Sequence, residues 1–132
     1  GYSEDLNGYK PEGIARLDAT KKNGRRCSAA IAYLKPALAR GNITLLTRAQ
    51  VLKIDIEGHS VSGVTFQHKD KIHSVEANKE VILSGGAINS PHLLMLSGIG
   101  PSKHLKEHGI DVYVELPGVG QNLQDHSCII LQ

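Results

Sequence analysis

The sequence contains no tryptophan, one phenylalanine and four tyrosines, so aromatics make up only 4% of it. Any core must therefore be aliphatic. Its two cysteines, Cys27 and Cys128, stand far apart with no metal-ligand spacing. That excludes a disulfide framework and a cysteine-based metal site, and fits reduced thiols of an intracellular protein. No apolar run approaches the roughly 20 residues that span a bilayer. The net charge of +2 is too small to imply a nucleic-acid partner. The only methionine is Met95, and residues 127–131 form an apolar run that reads as the start of a strand. These features lead to the expectation that the chain is an interior piece of a longer protein. What remains is ordinary for a globular chain of 132 residues, with 40% hydrophobic and 21% charged residues.

Residues 1–24 carry several glycines and Pro11 without sustained periodicity and are expected to be extended or loop. The pairs Lys21-Lys22 and Arg25-Arg26 read as a solvated loop. A helix is expected from Ser28, with Ile31, Leu34 and Leu38 on one face, Pro36 kinking or ending it, and Gly41 just past its end. Strand character follows at Ile43–Thr47. Next come Val51–Ile56, Val61–Phe66 and Ile72–Ala77, separated by short polar turns, the pattern of an antiparallel meander. Strict alternation in the first of these puts Val51, Lys53 and Asp55 on one side. Glu80-Val81-Ile82-Leu83-Ser84 is a continuous apolar run, as in a strand covered on both faces, and it runs into Gly85-Gly86. A helix is expected to open near Asn89-Ser90-Pro91, with Ser90 as cap and Pro91 at its first position. Ser97–Pro101 breaks it. A further helix over Ser102–His108 ends at Gly109, and a strand over Asp111–Leu116 precedes the turn Pro117–Gly120.

A buried strand that turns through Ser84-Gly85-Gly86 into a helix suits a nucleotide. Glycine lets backbone approach closely, and a helix N-terminus offers free N–H groups to phosphate. The signal is weak alone, since a ligand-free strand–helix turn looks the same. The dinucleotide fingerprint Gly-x-Gly-x-x-Gly does not occur in the sequence.

The run Gly86-Ala87-Ile88-Asn89-Ser90-Pro91-His92-Leu93-Leu94-Met95-Leu96-Ser97-Gly98-Ile99-Gly100 resembles the second signature of the glucose–methanol–choline oxidoreductase family. Asn23–Ala30 with Tyr33-Leu34, and Leu116–His126, resemble that family's sequence on either side, in the right order. The resemblance implies an FAD-dependent enzyme of about four times this length, oxidising the CH–OH group of a small-molecule alcohol by hydride transfer to flavin. An electron acceptor, oxygen or another, would be the second partner. The family's phosphate loop and its catalytic histidine lie in regions that do not match this chain. No catalytic residue is therefore expected here, and the chain alone is expected to be inactive.

The implied fold is α/β: part of an FAD/NAD(P)-binding-type domain with an antiparallel meander and short helices, plus the start of a substrate domain. The implied boundaries are a loop segment over 1–24, the partial FAD-binding domain over 25–112, and a junction over 113–132. Residue by residue, Val51 matches a position whose backbone meets adenine. Ser84, Gly85 and Gly86 match the turn against the adenosine–pyrophosphate half. Asp125 and His126 match a pair on the substrate side of the flavin. The other histidines, His59, His68, His73, His92, His104 and His108, are read as surface or packing residues, and no metal is expected. Choline-oxidising members of the family tend to carry Glu at the position of Cys128. A thiol cannot supply that charge in an apolar setting, which favours an uncharged alcohol. A cyanohydrin-cleaving flavin lyase of the same family and a cofactor-free binding module are the alternatives. The expected location is the cytoplasm or, peripherally, the inner face of the membrane.

Overall fold

A computed structural model describes residues 1–5, 7–9 and 12–126. The chain divides into two compact units, Gly1–Leu46 and Thr47–Gln132.

The first unit is built on a small hairpin. Strands β1 (Lys21–Lys22) and β2 (Arg25–Arg26) pair antiparallel across Asn23-Gly24. Asn23 and Gly24 have φ of 52° and 72°. Positive φ at both central residues makes the primed turn that matches the twist of paired strands. The segment expected to be loop thus ends in a hairpin, and the Asn-Gly pair was the available signal. The helix that follows is irregular. Residues Ala30–Leu34 form a π-helical turn and Lys35–Ala39 form α1. Pro36 lacks the N–H that would bond the carbonyl of Ala32, and its ring crowds that carbonyl. The turn before it widens, so that the Lys35 N–H donates to the Ala30 carbonyl. Gly41 follows at φ 74°, as expected of a residue just past a helix end. Ala37 is the buried residue, while Ile31 is 47% exposed.

The second unit holds the meander. Strands β3 (Ala49–Glu57), β4 (Ser60–His68) and β5 (Lys71–Glu76) form one antiparallel sheet in the order β3-β4-β5. The two turns are short. Gly58 takes φ 58° in the first, and Lys69 and Asp70 take φ of 49° and 60° in the second. The register skips between Val51 and Lys53 and again between Asp55 and Ile56. The first skip is a bulge at Leu52. It corrects the expected alternation, because Val51 now lies opposite Phe66, two residues from Val64, the partner of Ile54. One extra residue reverses the parity and puts Val51 on the apolar face with Ile54 and Phe66. Lys53, Asp55, Thr65 and Ser74 share the other face.

Three further expectations are corrected. Ile43–Thr47 is not a strand. Residues 80–84 form no strand, and Ile82 is 77% exposed, so the expected strand covered on both faces is not seen among the described residues. Helix α2 runs over Gly86–Leu96, starting well before Ser90, with Gly85 as its N-cap. Ser90 is inside it and accepts the Gly85 N–H on its hydroxyl oxygen at 3.0 Å. Pro91 also lies inside, where it removes one helical hydrogen bond.

Beyond α2, strand β6 (Ile99–Gly100) pairs parallel with β7 (Val114–Glu115), shorter than the strand expected over Asp111–Leu116. Between them lies α3 (Ser102–Glu107). The Glu115 carboxylate accepts the Ser102 N–H at 2.9 Å, placing negative charge at the helix start. At the other end the Ile110 N–H bonds the Leu105 carbonyl and the Gly109 N–H bonds the Lys106 carbonyl, a two-bond closure around a left-handed glycine. Leu105 is fully buried, with Ile54, Phe66 and Val119 the other buried apolar residues of this unit. No helix among the described residues is long and apolar enough to cross a membrane.

Gly98 and Gly109 both end helices at positive φ, 81° and 68°. Their surroundings differ. A Cβ on Gly98 would lie 2.5 Å from the Asp111 carbonyl oxygen, whereas one on Gly109 would meet nothing within 4 Å. Gly109→Ala should therefore cost about 1 kcal/mol for backbone strain alone. Gly98→Ala should cost roughly 1–3 kcal/mol more for overpacking. Thermal denaturation of the full-length protein checks this; equal costs would show that crowding at Gly98 plays no part.

Candidate functional site

The bulge at Leu52 has a spatial consequence. Val51 faces a concavity of about 660 Å³ whose walls come from the start of β3, residues 82–85 and one side of α2. Val51, Ser84 and Gly85, three of the residues singled out from the sequence, line it together. Leu83 and Leu93 add apolar wall. Gly86 is the first residue of α2, at φ 85°, and a Cβ there would meet nothing within 4 Å. Ser84, Gly85 and Gly86 are all exposed, so the bend is open and not sealed under side chains. The first-turn N–H groups of a helix have no intrahelical acceptor. Those of α2 begin at this open bend.

Other residues share the wall that the sequence did not single out for a cofactor role: Arg48, Gln50, Asn89, Ser90 and His92. His92 had been set aside as a packing residue. Arg48 carries the clearest physical signal, a left-handed φ of 56° on a non-glycine residue immediately before β3. Such strain persists only where neighbouring structure holds it, often beside a binding site. No property of the sequence around Arg48 announces it.

Asp125 and His126 do not reach this concavity. Both side chains are fully exposed, with Nδ1 of His126 3.6 Å from Oδ1 of Asp125. The His126 backbone N–H donates to the same oxygen at 2.8 Å. Residues 118–124 line a separate concavity of about 890 Å³ against α2. Cys128, which carried the expectation about substrate charge, lies outside the described residues. Among the described residues no cluster of three or more His, Cys, Asp or Glu could hold a metal ion.

The polar face of the meander borders a third concavity, of about 880 Å³, with Asp55, Thr65, Ser74 and Tyr113 in its walls. Asp55 is its electrostatic centre. Thr65 Oγ1 donates to the carboxylate at 2.8 Å, Ser74 Oγ at 3.3 Å, and the Lys53 ammonium lies 3.3 Å away. Desolvation alone would raise its pKa. The hydrogen bond from Thr65, the bond and charge of Lys53, and the Ser74 hydroxyl together outweigh it and hold the carboxyl below the ordinary carboxylate value. A group so held is ionised at neutral pH and is a weak base. Its acceptor capacity is spent on the sheet itself, which makes it a structural tie across three strands.

Comparison with known proteins places the chain in a family. The GMC oxidoreductase family model matches residues 1–128. The chain is 52% identical to an oxygen-dependent choline dehydrogenase of Staphylococcus saprophyticus over 134 aligned residues, covering all of this chain and 24% of that protein. It thus spans about a quarter of the length of the curated relatives it matches. Among solved structures, an FAD-dependent oxidoreductase from Chaetomium thermophilum superposes with a TM-score of 0.72 at 40% identity, over 76% of this chain and 18% of that one. Pyridoxine 4-oxidase from Mesorbium loti gives 0.68 at 36% identity, over 74% and 19%.

The Asp55 tie makes a pH prediction. Its folded pKa lies below the unfolded one, so the stabilisation it supplies is complete at neutral pH. It is lost as pH falls from about 4 through the folded value. Asp55→Asn should lower stability at pH 7 and flatten the loss between pH 5 and 2. Denaturant midpoints measured across that range on the full-length protein would show parallel wild-type and variant curves if the tie carries no charge-dependent stability.

Proposed function

The chain belongs to the GMC oxidoreductase family, and from that membership we propose that it supplies the adenosine side of an FAD site in an enzyme that oxidises the CH–OH group of an alcohol. The observation that carries this reading is the meeting of Val51, Ser84 and Gly85 in one open concavity beside the N-terminus of α2. The residues present fit the group. The walls are apolar enough for a purine face at Val51, Leu83 and Leu93, and the bend at Gly85-Gly86 leaves backbone uncovered. The volume lies within the usual range for small-ligand sites. Hydride acceptance from the alcohol carbon is the chemistry FAD supplies when bound. The chain's own share is to hold and orient. The backbone at Val51 meets the adenine edge, the Ser84–Gly86 bend lets main chain approach the phosphates, and the start of α2 offers them N–H groups. On this reading residues 25–112 belong to the FAD-binding part and residues 113–132 lead towards the substrate domain, with Asp125 and His126 on the substrate side. Alcohol and electron acceptor are handled by the longer protein.

Gly86→Val in the full-length protein tests the cofactor role. The side chain would enter space that is empty within this chain, at a residue where backbone approaches the nucleotide. The FAD dissociation constant should rise by about tenfold or more, since roughly 1.4 kcal/mol of lost contact gives a decade. Gly109→Val carries the same left-handed strain at a site with equally empty surroundings. It should leave the constant within about twofold, because the strain is the same with and without ligand. Equal behaviour of the two variants, or a wild-type protein that binds no FAD, would remove the reading.

We further propose an uncharged alcohol as substrate, because Cys128 leaves no carboxylate for a quaternary ammonium at that position. The names of the Staphylococcus relatives favour choline as the second reading. Cys128→Glu should raise kcat/KM for choline relative to a neutral primary alcohol by about fivefold or more, the scale of one added charge near a partly screened cation. An unchanged ratio, or a wild type already preferring choline, favours the second reading.

A further inference from the structure

Strand β3 is an edge strand, so every second backbone N–H along it must find a partner outside the sheet. At Ile54 that partner is a side chain. The Ser97 hydroxyl, just past the end of α2, accepts the Ile54 N–H at 2.8 Å and donates to the Leu93 carbonyl at 2.7 Å. The Leu93 carbonyl also accepts the Ser97 N–H at 3.1 Å. One oxygen therefore binds the strand and the last turn of the helix at once. Its two partners lead directly to the Val51 concavity. Leu93 lines it, and Ile54 stands three residues beyond Val51 with the Leu52 bulge between them. A bulge loosens the ladder where it occurs, because the extra residue is left unpaired. The next firm anchor for Val51 on the helix side is the bond from Ser97 to Ile54. Ser97 itself is not part of the wall.

We propose that Ser97 is a positioning residue for the adenine half of FAD: it fixes the spacing between Val51 and Leu93 across the mouth of the concavity without touching the nucleotide. The proposal rests on the reading of that concavity given above. Ser97→Ala leaves the N–H of the buried Ile54 without that partner and frees the bulged end of β3 to move against α2. The consequence falls on the adenine side, because Leu93 belongs to that wall, Ile54 stands three residues from Val51 on the same strand, and none of the hydroxyl's bonds reaches residues 118–126.

The test uses the full-length protein, with FAD removed and titrated back. For Ser97→Ala the FAD dissociation constant should rise about fivefold, the scale of one hydrogen bond. Ser97→Thr keeps the hydroxyl and should restore the wild-type constant to within about twofold. At saturating FAD the visible absorption spectrum of the flavin should be the same in all three proteins, because the flavin ring lies away from this wall. An unchanged constant in Ser97→Ala overturns the role of Ser97 alone. A changed flavin spectrum, or failure of Thr to restore binding, assigns the residue to general stability and overturns it too. A wild-type protein that takes up no FAD removes the cofactor reading and this inference with it.

Discussion

The ordering of the second unit depends on how the edge strand β3 satisfies its outward backbone groups. Ladder partners exist on one side only, and the Leu52 bulge removes one of those. The bulge brings Val51 to the apolar face. The Ser97 hydroxyl then ties the strand to α2 through Ile54, which is itself buried. A second tether acts at the far end of the hairpin, where the Tyr113 hydroxyl donates to the Gly58 carbonyl at 2.6 Å. These two directional bonds fix where the sheet meets the helix and the β6–β7 segment, beside the buried Ile54, Phe66 and Leu105.

What could be read in the sequence follows from which physical signals are local. The meander was legible because a period of two and a two-residue turn are both written within a few positions. Gly41 and Gly109 were legible as helix ends because left-handed backbone is nearly reserved for glycine. The bulge was not, since alternation at Val51–Ile56 reads the same whether or not a partner strand skips a residue. Ser90-Pro91 misled for a related reason. A Ser-Pro pair is a good helix start, but a short sequence does not show that Gly85 already caps the chain and that the Ser90 hydroxyl reaches back to it. Residues 80–84 are the opposite case. Their continuous apolar composition pointed to a strand covered on both faces, but the run forms no strand and Ile82 is 77% exposed, because composition alone does not fix pairing or burial.

The candidate site was legible to the same extent. Ser84-Gly85-Gly86 carried a weak signal of close approach to a ligand, and resemblance to a family linked it to Val51. The two segments lie more than thirty positions apart, and no local pattern connects them; the bulge and the Ser97 tie do so in space. Arg48 entered the wall without any mark in the sequence, and Asn89 was read only as part of a helix start and of the family signature. The strain at Arg48 belongs to the backbone conformation, which composition does not encode.

The same geometry shows how the carboxylates and the Asp125–His126 pair of the described residues are engaged. Asp55, the carboxylate with the most partners among the described residues, is held ionised by donors on three strands. Asp125 and His126 are fully exposed and bonded only to one another. Neither group lines the Val51 concavity, whose ionisable side chains are Arg48 and His92. On the proposed reading, such a wall would favour the shape and polar outline of a nucleotide, and the edge strand, its bulge and the serine tie would hold that nucleotide in register.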